Sequence, residues 1–130
     1  MKQSLFMEKY PIYSLQIGKA ETSKKSVDEI VEYFKEKIAE NGKAIFIATF
    51  DHYAHTKRLG GEIGAGIVDA KNLVFCFGYI LPNAQVMAVR PRSIGIVDQD
   101  GTFLVTFLEA PVQTANETMV GWARGLVDKA

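Results

Sequence analysis

Three short runs decide most of what this chain can become. Ala44-Ile45-Phe46-Ile47-Ala48, Leu73-Val74-Phe75-Cys76-Phe77 and Phe103-Leu104-Val105-Thr106-Phe107-Leu108 are apolar on both alternating sides. Strands of that kind belong to a sheet whose two faces are both covered. Residues 12–18 differ: Tyr13, Leu15 and Ile17 fall on one side and Ser14 and Gln16 on the other, the pattern of a half-buried edge strand. Gln99-Asp100-Gly101 separates a strand at 94–97 from the run that begins at Phe103. Asp-Gly favours the tight turn of an antiparallel hairpin, so these two strands pair.

Two stretches have helical periodicity instead. Ser26-Val27-Asp28-Glu29 has the form of a capping box, in which the Ser26 hydroxyl and the Glu29 carboxylate satisfy free amides at a helix start. Val27, Ile30, Val31, Phe34 and Ile38 then form one apolar stripe, with Asp28, Glu29, Glu32, Lys35, Glu36 and Lys37 on the other faces. Asn41-Gly42, which tolerates positive φ, ends this helix. After Pro111, a second box at Thr114-Ala115-Asn116-Glu117 leads into a stripe of Met119, Trp122, Ala123 and Leu126. Gly121 and Gly125 each cost that helix about 1 kcal/mol relative to alanine, which close backbone packing would offset.

The expected fold is therefore α+β: a small, mostly antiparallel sheet of about five strands with helices packed on it. Residues 1–130 read as one domain, with 1–11 as an N-terminal arm. So few helices leave one sheet face to a second copy of the chain, so the chain is expected to form a homodimer. Its 130 residues, 48% hydrophobic and 23% charged, suit one ordinary globular domain that needs no staples.

Fifteen basic residues balance fifteen acidic ones, leaving no global positive field for nucleic acid or an anionic membrane, and neither is expected as a partner. Cys76 is the only cysteine, so no intrachain disulfide can form; its apolar run makes it a buried thiol and suits a reducing cytoplasm. Leu5-Phe6-Met7, followed by Glu8-Lys9, is too short an apolar run for a signal peptide or a membrane span.

Chemistry concentrates in Asp51-His52-Tyr53-Ala54-His55, directly after the run that ends at Phe50. Asp51 at a strand-to-helix junction can accept from the first helical amides, and His52 and His55, the only histidines, then share a helix face. Two imidazoles, with Asp51 and Cys76 as further donors, would suit zinc, iron, copper or haem ligation. The structural alternative is a capped helix with solvated histidines. An imidazole can also act as a general base, which admits a hydrolase or isomerase using His52. No nucleophile motif accompanies it: Ser93 and Thr106 lie in expected strands without an elbow sequence.

Gly60-Gly61-Glu62-Ile63-Gly64-Ala65-Gly66 resembles a phosphate loop but lacks the Lys-Ser or Lys-Thr pair, and a helix rather than a strand precedes it, so no cofactor is named by it. Lys57 and Arg58 before this loop, and Arg90 and Arg92 around Pro91, are cations able to converge on a small anionic ligand, with Tyr79 and Asn83 along the same cleft. The candidate ligand residues are thus Asp51, His52, His55, Arg58, Arg90 and Arg92, with His52 and His55 as candidate metal ligands. The favoured reading is a module that binds or senses a small ligand or metal at the Asp51-His52 junction. A non-catalytic homodimeric interaction subunit is the alternative, motivated by the two-sided strands and the Leu5-Phe6-Met7 arm.

From Ser26 to Pro111 the order of residues resembles the domain-of-unknown-function 302 family, the TT1751-like fold. The resemblance rests on Ser26-Val27, on Phe50-Asp51-His52 with Ala54 and Lys57 to Gly60, on Val74-Phe75 ending in Phe77-Gly78, and on Pro91, Asp100-Gly101 and Ala110-Pro111. It implies a small α+β sheet with helices and an Asp-His pair that follows a strand and opens a helix. The chain departs from that family after Gly78, where Tyr79-Ile80 replaces the usual Asn-Pro and residues 81–90 form a shorter segment.

Overall fold

The computed structural model describes residues 1–128. Its strands are β1 Lys2–Phe6, β2 Tyr10–Gly18, β3 Ala44–Asp51, β4 Asp69–Phe77, β5 Arg92–Asp98 and β6 Thr102–Leu108, and its helices are α1 Val27–Glu40, α2 His52–Arg58 and α3 Gln113–Arg124. The six strands form one sheet in the order β1-β2-β6-β5-β4-β3, each neighbouring pair antiparallel. After the β1-β2 hairpin, α1 carries the chain across the sheet to the far edge. The strands β3 to β6 then return as a meander until β6 docks on β2.

The fold is α+β, as its pattern indicates, with six strands rather than about five. The sixth is β1, in the segment expected to be an arm. Its side chains are mostly exposed on both sides, so Lys-Gln-Ser-Leu-Phe has no hydrophobic alternation to announce a strand. Because β1 takes the edge, residues 12–18 lie second in the sheet rather than at its border.

All five stripe residues of α1 are buried, and the Ser26 hydroxyl accepts from the Glu29 amide at 3.1 Å. The helix ends at Asn41 without a left-handed residue: Asn41 has φ −87°, and its side-chain oxygen accepts from the Lys43 amide at 2.9 Å. At α3 the expected capping box does not form. The helix begins at Gln113, and Asn116 is buried, accepting from the Ala110 amide at 2.7 Å and donating to the Ala110 carbonyl at 3.0 Å. Asn116 thus clamps α3 to the exit of β6.

The core lies between the sheet and the pair α1 and α3. Phe75, Ile94, Ile96, Phe103 and Val105 from the sheet are fully buried there, and Trp122 of α3 packs on Phe75 and Phe77 with ring centroids 5.7 and 5.8 Å apart. A bulge in β3 shifts its register between Phe46 and Ala48. Ile45, Ala48 and Phe50 therefore share the opposite face of the sheet, although without the bulge Ile45 would lie across from the other two. α1 and α3 leave that opposite face open, with Ile45 56% and Leu108 50% exposed. Within one chain, then, α1 and α3 cover the strands on one side, and on the other α2 packs its histidines on Phe50 at the end of β3. Cys76, opposite Ile45, lies half-buried on the open face rather than in the core. No helix of the described residues is long and apolar enough to cross a membrane.

Candidate functional site

The Asp51 junction forms as the sequence suggests. One Asp51 oxygen accepts from the Ala54 amide at 2.9 Å, capping α2, and the other lies 3.7 Å from the Lys71 ammonium. Lys71 also pairs with Asp28 of α1, so β4 is tied to two helices at this end. His52 and His55 share a face of α2, their ring centroids 6.3 Å apart, and both rings pack on Phe50 at 4.7 and 5.1 Å. The His55 Nδ1 lies 3.5 Å from an Arg58 guanidinium nitrogen. A shallow cavity of about 190 Å³ adjoins His52, bounded by Tyr53, Thr56 and the 62–64 loop.

Among the described residues, no group of three histidine, cysteine or carboxylate side chains is placed to hold a metal. Cys76 is not a neighbour of the pair: it lies four residues along β4 from Asn72, the partner of Phe50, or about 13 Å. The glycine segment connects α2 to β4, with Gly60 at φ 71° and Gly66 at φ 85°, conformations that favour glycine.

Arg90 and Arg92 do not join this junction. Arg92 pairs with Phe75 and Asp51 with Lys71, so about 13 Å of β4 separates them. They also differ in face, since Arg92 shares the helix-covered side with Ile94 and Ile96 while the histidines lie against Phe50 on the open side. The six candidate residues divide into two groups, Asp51, His52, His55 and Arg58 in one and Arg90 and Arg92 in the other. Tyr79 donates to the Gly42 carbonyl and Asn83 caps a 3-10 turn at Ala84–Ala88.

Arg90 and Arg92 instead line a cavity of about 490 Å³ between the end of β4, the 3-10 turn and the start of α3. Phe77, Val86, Val89, Pro111 and Val112 supply apolar walls; Lys43 adds a third cation, and Asn41, Thr114 and Thr118 add neutral polar groups. No carboxylate of the described residues lines it. Arg92 is only 8% exposed. Two of its nitrogens donate to the Val89 and Leu108 carbonyls, while its buried Nε has no partner. Burial pushes the Arg92 guanidinium below the ordinary arginine value, and it remains a cation at neutral pH.

Lys43, Thr114 and Thr118 escape a reading of local spacing, because segments far apart in the chain bring them together. One signal was present: Arg92 occupies the same period-two register as Ile94 and Ile96, a cation on the core side of a strand.

Over residues 1–128 the sequence matches the model of a family of unknown function, DUF6858. The chain belongs to this family. Among curated proteins, none matches it. The DUF6858 chain is similar to the crystal structure of an uncharacterized conserved protein, DUF302, from Bacillus stearothermophilus, with a TM-score of 0.60 and 13% identity over 88% of this chain and 94% of that one. At this identity the likeness is one of fold, and it agrees with the resemblance seen between Ser26 and Pro111.

Proposed function

We propose that this DUF6858 chain is a binding module for a small organic anion, held in the cavity lined by Lys43, Arg90 and Arg92. The observation that carries the reading is Arg92, a guanidinium buried beside a cavity with no carboxylate among its described lining residues. Two backbone carbonyls accept from Arg92 but carry no net charge, and burying a cation without an opposite charge is costly, a cost that an anionic ligand offsets when it docks. The apolar walls select a ligand with a hydrocarbon body, and three cations with two threonine hydroxyls orient its charged end. On this reading the anion expected from the sequence binds at the arginine group and not at the Asp51-His52 junction, where the two imidazoles have no third metal-binding side chain among the described residues.

Isothermal titration with hexanoate, inorganic phosphate and hexylamine tests it. Saturable binding of hexanoate is expected, with Arg90→Ala and Lys43→Ala each weakening it about tenfold, as for loss of one charged hydrogen bond. Equal responses to hexanoate and hexylamine, or unchanged affinity in both variants, would overturn the reading.

A further inference from the structure

The strands carry six charged residues: Lys2, Asp51, Asp69, Lys71, Arg92 and Asp98. Register places the last five on the face that α1 and α3 cover, since Asp51 opposes Lys71, Lys71 opposes the buried Ile96, Asp69 opposes Asp98, and Arg92 opposes the buried Phe75. Only Lys2, at the outer edge, shares the open face. This inverts the usual order, because an antiparallel sheet with one wet face normally puts its charges on that face.

The open face has the relief of an interface. Phe6, Ile12 and Leu108 form an apolar patch on one side, and Ile45, Val74 and Phe50 form another across the sheet. Between them Ser93, Gly95 and Thr106 leave a shallow hollow of about 310 Å³. Phe6 is 57% and Phe50 41% exposed, an arrangement expected of a surface that another surface covers.

We infer that a second copy of this chain covers the open face, sheet against sheet. The size fits. Strands of about seven residues at about 3.3 Å each, six abreast at about 4.8 Å, span roughly 650 Å² in projection before side-chain relief is added, close to the about 800 Å² per partner of a standard interface. The charge also fits. A face whose described strands carry one cation, at its edge, meets its own copy with no like-charge contact at the centre, which suits the self-complementary patch of a two-fold dimer. Two such sheets stack about 10 Å apart, with α1 and α3 of each copy outside and α2 at the rim beside Phe50.

Sedimentation equilibrium at micromolar concentration, on the full chain, tests this. Wild type is expected at twice 14.4 kDa. Ser93→Arg, at the exposed centre of the face, and independently Ile45→Glu, are expected to give 14.4 kDa with an unchanged circular dichroism spectrum. Glu36→Lys, on the outer side of α1, is expected to leave the dimer intact. Labelling of the Cys76 thiol should be slow in wild type and fast in the two face variants. A 14.4 kDa wild type would overturn the inference, as would a dimer that survives both face substitutions or one that Glu36→Lys dissociates.

Discussion

Lys71 is the residue whose contacts make the clearest prediction. It stands near the head of β4, its side chain 17% exposed, pairing with Asp28 of α1 and lying 3.7 Å from Asp51 at the cap of α2. The hydrogen bond to Asp28 lifts its pKa above 10.5; desolvation works against this rise, and the charges of Asp28, Asp51 and Asp69 add to it. A lysine whose folded pKa is raised contributes its full stability below the unfolded value and loses it as pH rises through the folded one. Asp28 is largely exposed and solvent screens the pair, so Lys71→Met should cost about 0.5–1 kcal/mol at neutral pH. Urea unfolding followed from pH 7 upward should show the gap between wild type and variant hold to about pH 10 and close above it. A gap that stays open well above pH 10 would assign the cost to something other than the ammonium. Arg92 poses the opposite case, a buried cation with no carboxylate partner among the described residues. Its register was legible in the sequence and its cavity was not, because Lys43, Thr114 and Thr118 reach it from segments whose meeting only the sheet order determines.

The two glycines of the last helix separate what local pattern reveals from what packing adds. Both suggested close backbone packing; Gly121 has none, and what crowds Gly125, the residue that caps the end of α3, is the Tyr33 side chain. A Cβ at Gly125 would collide with the Tyr33 hydroxyl, which donates to the Trp122 carbonyl at 2.7 Å, whereas a Cβ at Gly121 meets nothing within 4 Å. Gly121→Ala should therefore raise stability by about 0.5–1 kcal/mol through helix propensity. Gly125→Ala should lower it by about 1–3 kcal/mol as Tyr33 is displaced. Denaturant titration of the two variants checks both signs, and a destabilised Gly121→Ala would mean that α3 packs more tightly on that side than the structure indicates. The same division runs through the other elements. In α1 the stripe from Val27 to Ile38 predicts every buried position, because one helix face against one sheet face is a local matter of period 3.6. β1 is invisible to the same reasoning, since its hydrogen bonds to β2 and not its side chains hold it in place. The bulge at Ile47 is equally silent: nothing in Ala-Ile-Phe-Ile-Ala says which residue is the extra one, yet it decides that Phe50, and the histidines packed on it, belong to the open face.

At the scale of the whole molecule the two proposals occupy opposite sides of one sheet, so their effects should be separable. The cavity at Arg92 lies between the sheet and α3, while the proposed interface lies on the face turned away from both long helices. Sites with no shared residues and a rigid sheet between them contribute to stability nearly additively. If folding is coupled to dimerisation, the melting temperature of wild type rises with protein concentration by mass action, and that of Ser93→Arg does not. Saturating hexanoate should then raise both melting temperatures by a similar increment, since the ligand binds the same cavity in dimer and monomer. Differential scanning calorimetry over a tenfold or wider concentration range, with and without hexanoate, measures both terms in one set of scans. A concentration-independent wild type argues against the sheet-to-sheet dimer and leaves anion binding standing. A concentration-dependent wild type with no response to hexanoate does the reverse. A ligand response present in the dimer and lost in Ser93→Arg would show that the covered and open faces are coupled, contradicting the independence that the sheet geometry implies.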